Sequence, residues 1–529
     1  MTLILTAMQL KKHYDYIIIG SGFGGSVSAL RLAEKGYSVL VIEKGKWYTG
    51  DDFPKTNWNL KRWLWLPSLK LLGILKLSFF RHLTVLSGVG VGGGSLVYAN
   101  TLPKPKSQFF NHGSWANLAN WEEELNSFYE TAWKMLGAST NPLLDEADFA
   151  LKNLAKSVDK EDKFEATKVA IYFGDKGITV DDPYLNGKGP SRTGCVGCGA
   201  CMTGCRYNAK NTLDKNYLHL AQQFGATILA ENKVKNIVPF GKSDGSEGYQ
   251  VTYKSSTKKI SELKTISSNG IIFSGGVLGT IPLLLNLKET SLPNLSSKVG
   301  DDIRSNNEAL ILNVTLDKQK DLSKGIAIGS IIELDKNSHL EPVKYGAGSG
   351  FWRLLMMPMI SEKNFILRII KLIIIPFLDP IRWFRVFFVN DFAKRSSVLL
   401  FMQHLDSTLK FKKGFWGIGT KLSSGKAPSA FIPEAHAIAK KHAKLTNSKS
   451  VVMWTETVTG IPSTAHILGG AVMGKDSKSG VIDKNNKVFG YTNMYVCDGS
   501  MISANPGVNP SLSITAIAER AMSKIPSKK

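Results

Sequence analysis

The run Gly20-Ser21-Gly22-Phe23-Gly24-Gly25 follows an apolar segment, Tyr16 to Ile19, and opens a helical stretch over 26–35. A second apolar segment, Ser38 to Ile42, ends in Glu43. This is a G-x-G-x-x-G turn inside a full βαβ unit, with an acid about 20 residues on, and it commits the chain to a dinucleotide-binding sheet. Gly20, Gly22 and Gly25 let the backbone approach a pyrophosphate, whose charge meets the helix N-terminus. Glu43 is positioned to accept hydrogen bonds from the adenosine ribose. The pattern leaves NAD and FAD both open.

At 529 residues the chain is long enough for two domains. Lys and Arg number 66 against 43 Asp and Glu, a formal charge of +23. No zinc finger, RNA-binding signature or Arg-rich arm accompanies that charge, so nucleic acid is not expected as a partner. Two stretches instead interleave cations with large apolar residues: KRWLWLPSLKLLGILKLSFFR from Lys61 to Arg81, and NFILRIIKLIIIPFLDPIRWFRVFFV from Asn364 to Val389. Both contain proline and neither has about 18 uncharged apolar residues in a row, which argues against a membrane span. In the second, Arg368 and Lys371 share a helical face, as do Arg382 and Arg385, and Pro376 and Pro380 are expected to break it into two short helices. Segments 59–83 and 361–395 read as basic apolar elements facing a membrane interface, with ordinary core helices as the alternative. The opening residues MTLILTAMQLKKHYDY are too short and too weakly apolar for a secretory signal. The expected location is cytoplasmic, peripheral to the inner membrane face.

Four of the five cysteines, Cys195, Cys198, Cys201 and Cys205, follow the spacing C-x2-C-x2-C-x3-C. That is the ligand spacing of bacterial iron–sulfur ferredoxins, and the small residues between the thiols let the backbone curl around a cluster. Arg206 stands where the ferredoxin pattern has proline, and there is no second cysteine run to share a fourth ligand. Reduced structural thiols, zinc and disulfides remain alternatives.

A second glycine run, Gly88-Val89-Gly90-Val91-Gly92-Gly93-Gly94-Ser95, resembles the flavin loop of the glucose–methanol–choline (GMC) oxidoreductase family. Further resemblances arrive in that family's order. They are Asn211 to Leu218, the strand pair ILAENKVKNIVPF and YQVTYK, Ile271 to Thr280, His466 to Gly474, Val496 to Ser500, and Gly507 to Arg520. The match is most like the cholesterol oxidase branch, with the ferredoxin-like cysteine motif added.

The resemblance implies an α/β fold, a Rossmann-type FAD-binding domain with a discontinuous α+β substrate-binding domain. FAD binding is expected over 12–58, 84–105, 206–310 and 462–529, and substrate binding over 106–205 and 311–461. Cofactor contacts are implied at Gly20, Gly22, Gly25, Glu43, Gly88, Gly92, Gly93, Ser95, Val234, Asp498 and Gly499. Tyr98 stands where many members have Asn or His, and Asn100 is close enough to serve. His466 is implied as the base and Asn509 as the holder of the substrate oxygen; a neutral imidazole suits removal of a hydroxyl proton. Glu341 is the nearest candidate for a carboxylate that isomerises a steroid double bond. Glu519 and Arg520 read as a solvated helical pair. Some relatives hold an iron–sulfur cluster at the cysteine position, which implies a 3Fe-4S or 4Fe-4S cluster passing electrons from FAD to a one-electron carrier.

The implied activity is FAD-dependent oxidation of a lipophilic, sterol-like or long-chain alcohol. The alternatives are a cluster-free oxygen-using oxidase, a flavin-dependent reductase or isomerase of a lipid, and a non-catalytic lipid-binding flavoprotein.

Overall fold

A computed structural model describes residues 10–405, 407–414, 417–425 and 427–529; the tail expected before the first strand lies largely outside them. The apolar run around Tyr16–Ile19 forms the strand His13–Ile19 at the centre of a sheet. Its neighbours are Val39–Ile42 and Lys264–Phe273, both parallel to it, with Ile17 in register with Leu40 and Ile271. Thr227–Leu229 and Met494–Val496 extend the parallel part. A continuous apolar run suits this position, because a parallel strand is covered on both faces. The strands Asn232–Pro239 and Tyr249–Ser255 form the expected pair and continue the sheet antiparallel.

Helix Phe23–Glu34 packs between Tyr217–Gln223 and Ser511–Ser523. Glu519 and Arg520 are buried here, not solvated. Glu519 receives Arg31 at 2.7 Å and the Tyr217 hydroxyl at 2.7 Å, and Arg520 reaches Glu124 at 2.7 Å. The helix repeat turns both side chains toward neighbouring helices, where each needs a partner. Helix Trp121–Met135, expected with the substrate side, therefore lies against the dinucleotide side.

The second sheet is antiparallel and has seven strands. Their order is Met356–Pro358, Ser448–Met453, Ala309–Thr315, Ser396–Gln403, Ser338–Val343, Ser330–Glu333 and Phe164–Ala166. Side chains alternate between its faces. Ile311, Leu340 and Leu399 pack with Leu151 and Ala439 from helices Glu146–Ser157 and Pro433–Leu445. Leu310, Leu312, Val343, Val398 and Leu400 face the other way, into a cavity between the two sheets.

Segments 59–83 and 361–395 share one core, where Trp63 and Ile74 meet Trp352, Trp383 and Val386. The second segment forms helices Phe365–Leu378 and Pro380–Phe388. The break falls at Asp379 alone. Pro376 is accommodated in the last helical turn, and Pro380 occupies the first helical position, where its missing N–H costs nothing. Arg368, expected on a solvent-facing basic stripe, is buried. No helix among the described residues is long and apolar enough to cross a membrane.

Candidate active site

The cavity holds about 1020 Å³ and runs from the first glycine turn to His466 and Asn509. One end is made of backbone. Gly20 has φ +102°, and a side chain there would collide with the Ser274 carbonyl. A Cβ on Gly22, Gly276 or Gly279 would meet nothing within 4 Å, so these three leave bare backbone facing the cavity. Gly22 caps helix Phe23–Glu34 without a side-chain hydrogen bond, which leaves the first-turn amides free for an anion. Glu43 is buried in the cavity wall and accepts from Ser21 N at 3.1 Å and Gly45 N at 2.7 Å. This set fits a dinucleotide.

Gly88, Gly93, Val234, Asp498 and Gly499 also line the cavity. Asp498 accepts from Gly276 N and Ser500 N, both at 2.8 Å, and so ties two cavity loops together. Burial pushes its carboxyl above the ordinary value. Gly25, Gly92, Ser95 and Asn100 stand behind the wall instead. Gly25 permits contact with the Gly20 carbonyl, and Gly92 adopts φ +99° to turn the second glycine loop. The Ser95 hydroxyl accepts from Leu213 N at 3.1 Å. Asn100 is fully buried at φ +72°, and Tyr98 takes the place on the cavity wall.

The other end is made of side chains. His466 Nδ1 lies 2.8 Å from Glu308 Oε2, and His466 Nε2 lies 3.5 Å from the Asn509 amide nitrogen. Glu308 Oε1 accepts from the Thr464 hydroxyl, from Ala465 N at 2.8 Å and from His466 N at 3.3 Å. Burial opposes the Glu308 anion, yet His466 and these donors hold its pKa below the ordinary value. Burial likewise opposes the imidazolium, but Glu308 outweighs it and raises the His466 pKa. A carboxylate can only accept, so Nδ1 carries the proton and Nε2 presents a lone pair to the cavity.

Glu341 pairs across its sheet with cavity-lining Leu400 and shares the face of Val343. Burial pushes its carboxyl up to about 8, against the pull of His466 and Asn509. The oxygen of Asn509 has no hydrogen-bond donor among the described residues.

The cysteine turn differs from expectation. Among the described residues no group of three or more His, Cys, Asp or Glu side chains is placed to hold a metal ion. Cys195, Cys201 and Cys205 instead pack against Val169, Ile171, Ala209 and Ile326. Burial, with the neighbouring thiols, pushes Cys195 up to about 12 and Cys198 up to about 11. The turn is held by backbone, with Gly199 N donating to Gly325 O at 2.9 Å, and it presents Met202 to the cavity. The residues present do not fit a cluster.

Two residues escaped the sequence reading. Glu308 lies just before the strand Ala309–Thr315 and belongs to no motif; only its distance to His466 reveals it. Lys210 is buried and donates to the carbonyls of Leu96, Tyr98 and Cys201 at 3.0, 2.9 and 2.8 Å, joining the second glycine loop to the cysteine turn.

Residues 190–289 and 420–518 match the GMC oxidoreductase family, and 18–51 match an NAD(P)-binding Rossmann-like domain. The chain is 44% identical to a cholesterol oxidase of Acinetobacter baumannii, over 97% of this chain and 95% of that one. It is 40% identical to a cholesterol oxidase of Mycobacterium tuberculosis, over 98% and 92%. A long-chain-alcohol oxidase of Arabidopsis thaliana is 24% identical over 95% of this chain and 66% of its own. The fold resembles the crystal structure of a formate oxidase, with a TM-score of 0.62 at 14% identity, covering 97% of this chain and 98% of that one.

Proposed function

Since this chain belongs to the GMC oxidoreductase family and is an FAD-dependent alcohol oxidoreductase, we propose that its substrate is a sterol-like or long-chain alcohol. The observation that carries this reading is the Glu308–His466–Asn509 constellation at the apolar end of a dinucleotide-sized cavity. Leu310, Leu312, Tyr345, Trp352, Met356 and Met453 line that end, a wall suited to a lipophilic body.

FAD, when bound, accepts the carbon-bound hydrogen together with its electron pair. The glycine turn and Glu43 would hold its nucleotide half, and Asp498 keeps the neighbouring loops in place. The substrate hydroxyl lies between His466 Nε2, which accepts its proton, and the Asn509 amide, which donates to its oxygen. Glu308 fixes the imidazole tautomer and stabilises the charge that His466 gains. Excluding water from this pocket strengthens both effects.

Dioxygen is the acceptor in this reading, in line with the cholesterol oxidases to which the chain is 44% and 40% identical. Glu341 is the second proton carrier. As a carboxylate above pH about 8 it takes a proton beside the new carbonyl and returns it further along a ring double bond.

The test incubates the flavin-loaded protein with cholesterol and, separately, with a long-chain primary alcohol in air. One carbonyl and one hydrogen peroxide are expected per alcohol consumed, and no carbonyl from either would overturn the reading. Glu341→Gln is expected to leave sterol oxidation intact while the double bond stays in place; unchanged isomerisation would remove Glu341 from its role.

A further inference from the structure

We propose that the helix pair Phe365–Leu378 and Pro380–Phe388 is a docking surface for an anionic phospholipid bilayer, carried on the wall of the substrate chamber. The proposal rests on the reading of the substrate as a lipophilic alcohol, since such a molecule is held in lipid.

The first helix is turned inside out relative to an ordinary surface helix, which buries its apolar stripe. Its cation Arg368 faces inward, donating to the carbonyls of Glu362, Lys363 and Val458 and lying over the Phe431 ring. Ile366, Ile370, Ile373, Phe377 and Leu378 face outward, with Phe377 78% and Leu378 77% exposed. On the second helix Ile381, Phe384 and Phe388 continue the patch, while Trp383 and Val386 anchor it from beneath. A patch of this size and composition marks an interaction site.

Charge selects the occupant. The two acids at the helix ends are already neutralised, Glu362 by Lys371 at 2.8 Å and Asp379 by Lys449 at 3.0 Å. Lys363 and Arg385 form no ion pair among the described residues, and the chain as a whole carries +23. A second copy of this chain would set cations against cations. An anionic headgroup layer meets the cations while its acyl region takes the isoleucines and phenylalanines.

Position supports the same occupant. Trp383 and Val386 share a core with Trp352 and Met356, which line the chamber. Trp63 of the other basic apolar segment joins that core, 5.3 Å from Trp352. Two residues on, Trp65 and Leu66 line the same cavity, and Leu66 is 45% exposed. Lys76, Lys233 and Lys254 also line it. The docking helices thus belong to one packed unit with the wall of the chamber.

The test uses the flavin-loaded full chain in flotation with two vesicle types, phosphatidylcholine alone and phosphatidylcholine with phosphatidylglycerol. Binding is expected to the anionic vesicles, to weaken with salt, and to fall at least about tenfold in the triple variant Phe377→Asp, Leu378→Asp, Phe384→Asp. Arg385→Glu is expected to lose part of the binding in the same direction. All four positions are exposed, and retained flavin reports an intact fold. Equal flotation of variant and parent, or none by the parent, overturns the proposal. A parent dimer that the triple variant converts to monomer overturns it in favour of a second copy. Turnover of an alcohol dispersed in detergent separates the two readings. Unchanged turnover by the triple variant leaves the oxidase reading standing whatever the vesicles show, whereas no turnover by the parent defeats that reading without touching the flotation result.

Discussion

The two ends of the cavity are built by different means. At the nucleotide end the work is done by missing side chains, with Gly22, Gly276 and Gly279 presenting bare backbone and Gly20 held where a Cβ collides. At the catalytic end it is done by buried charge, with Glu308 taking three donors besides the imidazole. Backbone geometry leaves no room for a side chain at Gly20, where the Ser274 carbonyl stands in the way, and leaves the other glycines open toward the cavity. Buried charge depends on partners brought from far along the chain, since Glu308 and His466 are 158 residues apart. One end should therefore fail by losing its ligand, and the other by losing rate with the ligand in place.

The sharpest separation comes from His466→Ala. Flavin content should stay at the parent level, while reduction of the flavin by substrate slows about 10²–10⁴-fold. Loss of flavin in this variant would merge the two ends. Gly20→Ala should do the opposite, giving protein with little bound flavin and a strain of about 1–3 kcal/mol, read as a lowered Tm of the folded chain. Full flavin occupancy there would show that the turn does not need glycine.

Glu308→Gln sharpens the catalytic half. The carboxylate raises the His466 pKa, and neutral His466 is the base, so the parent's kcat/KM should climb with pH through that raised value. Removing the charge lets burial dominate and lowers the pKa. The acid limb should then move to lower pH, while the high-pH rate drops about tenfold or more through lost stabilisation of the imidazolium. An unmoved limb would mean that Glu308 only packs. The smallest effect is expected from Cys198→Ser, which should leave flavin content and the rate of flavin reduction near parent values. A large drop in electron delivery to an artificial one-electron acceptor would return the cysteines to an electron route.

How much of this was legible in sequence follows the same division. The glycine turns and Glu43 are readable because a backbone requirement stays at a fixed spacing, and the first sheet follows from runs such as Tyr16–Ile19, whereas the strands of the second sheet carry no such signature. His466 and Asn509 are readable as motif residues, and the face of Glu341 follows from strand alternation once Val343 is seen on the cavity wall. Glu308 is not readable, since a lone acid just before a strand carries no pattern. The cysteine spacing pointed to a cluster because spacing reports only what a loop can reach. Here the loop is instead bridged by backbone at Gly325 and its thiols are packed among Ile171 and Ile326. Arg368 misled for a related reason, because a helical face is defined by periodicity while its direction is set by what lies beneath.

The most direct measurement is anaerobic mixing of the flavin-loaded protein with cholesterol, following the flavin absorbance through one turnover. The account predicts that the oxidised flavin bands bleach in the parent, that readmitted air restores them with release of hydrogen peroxide, and that His466→Ala bleaches slower by at least about a hundredfold. Flavin that stays oxidised with cholesterol and with long-chain alcohols alike, or His466→Ala bleaching at the parent rate, would contradict it.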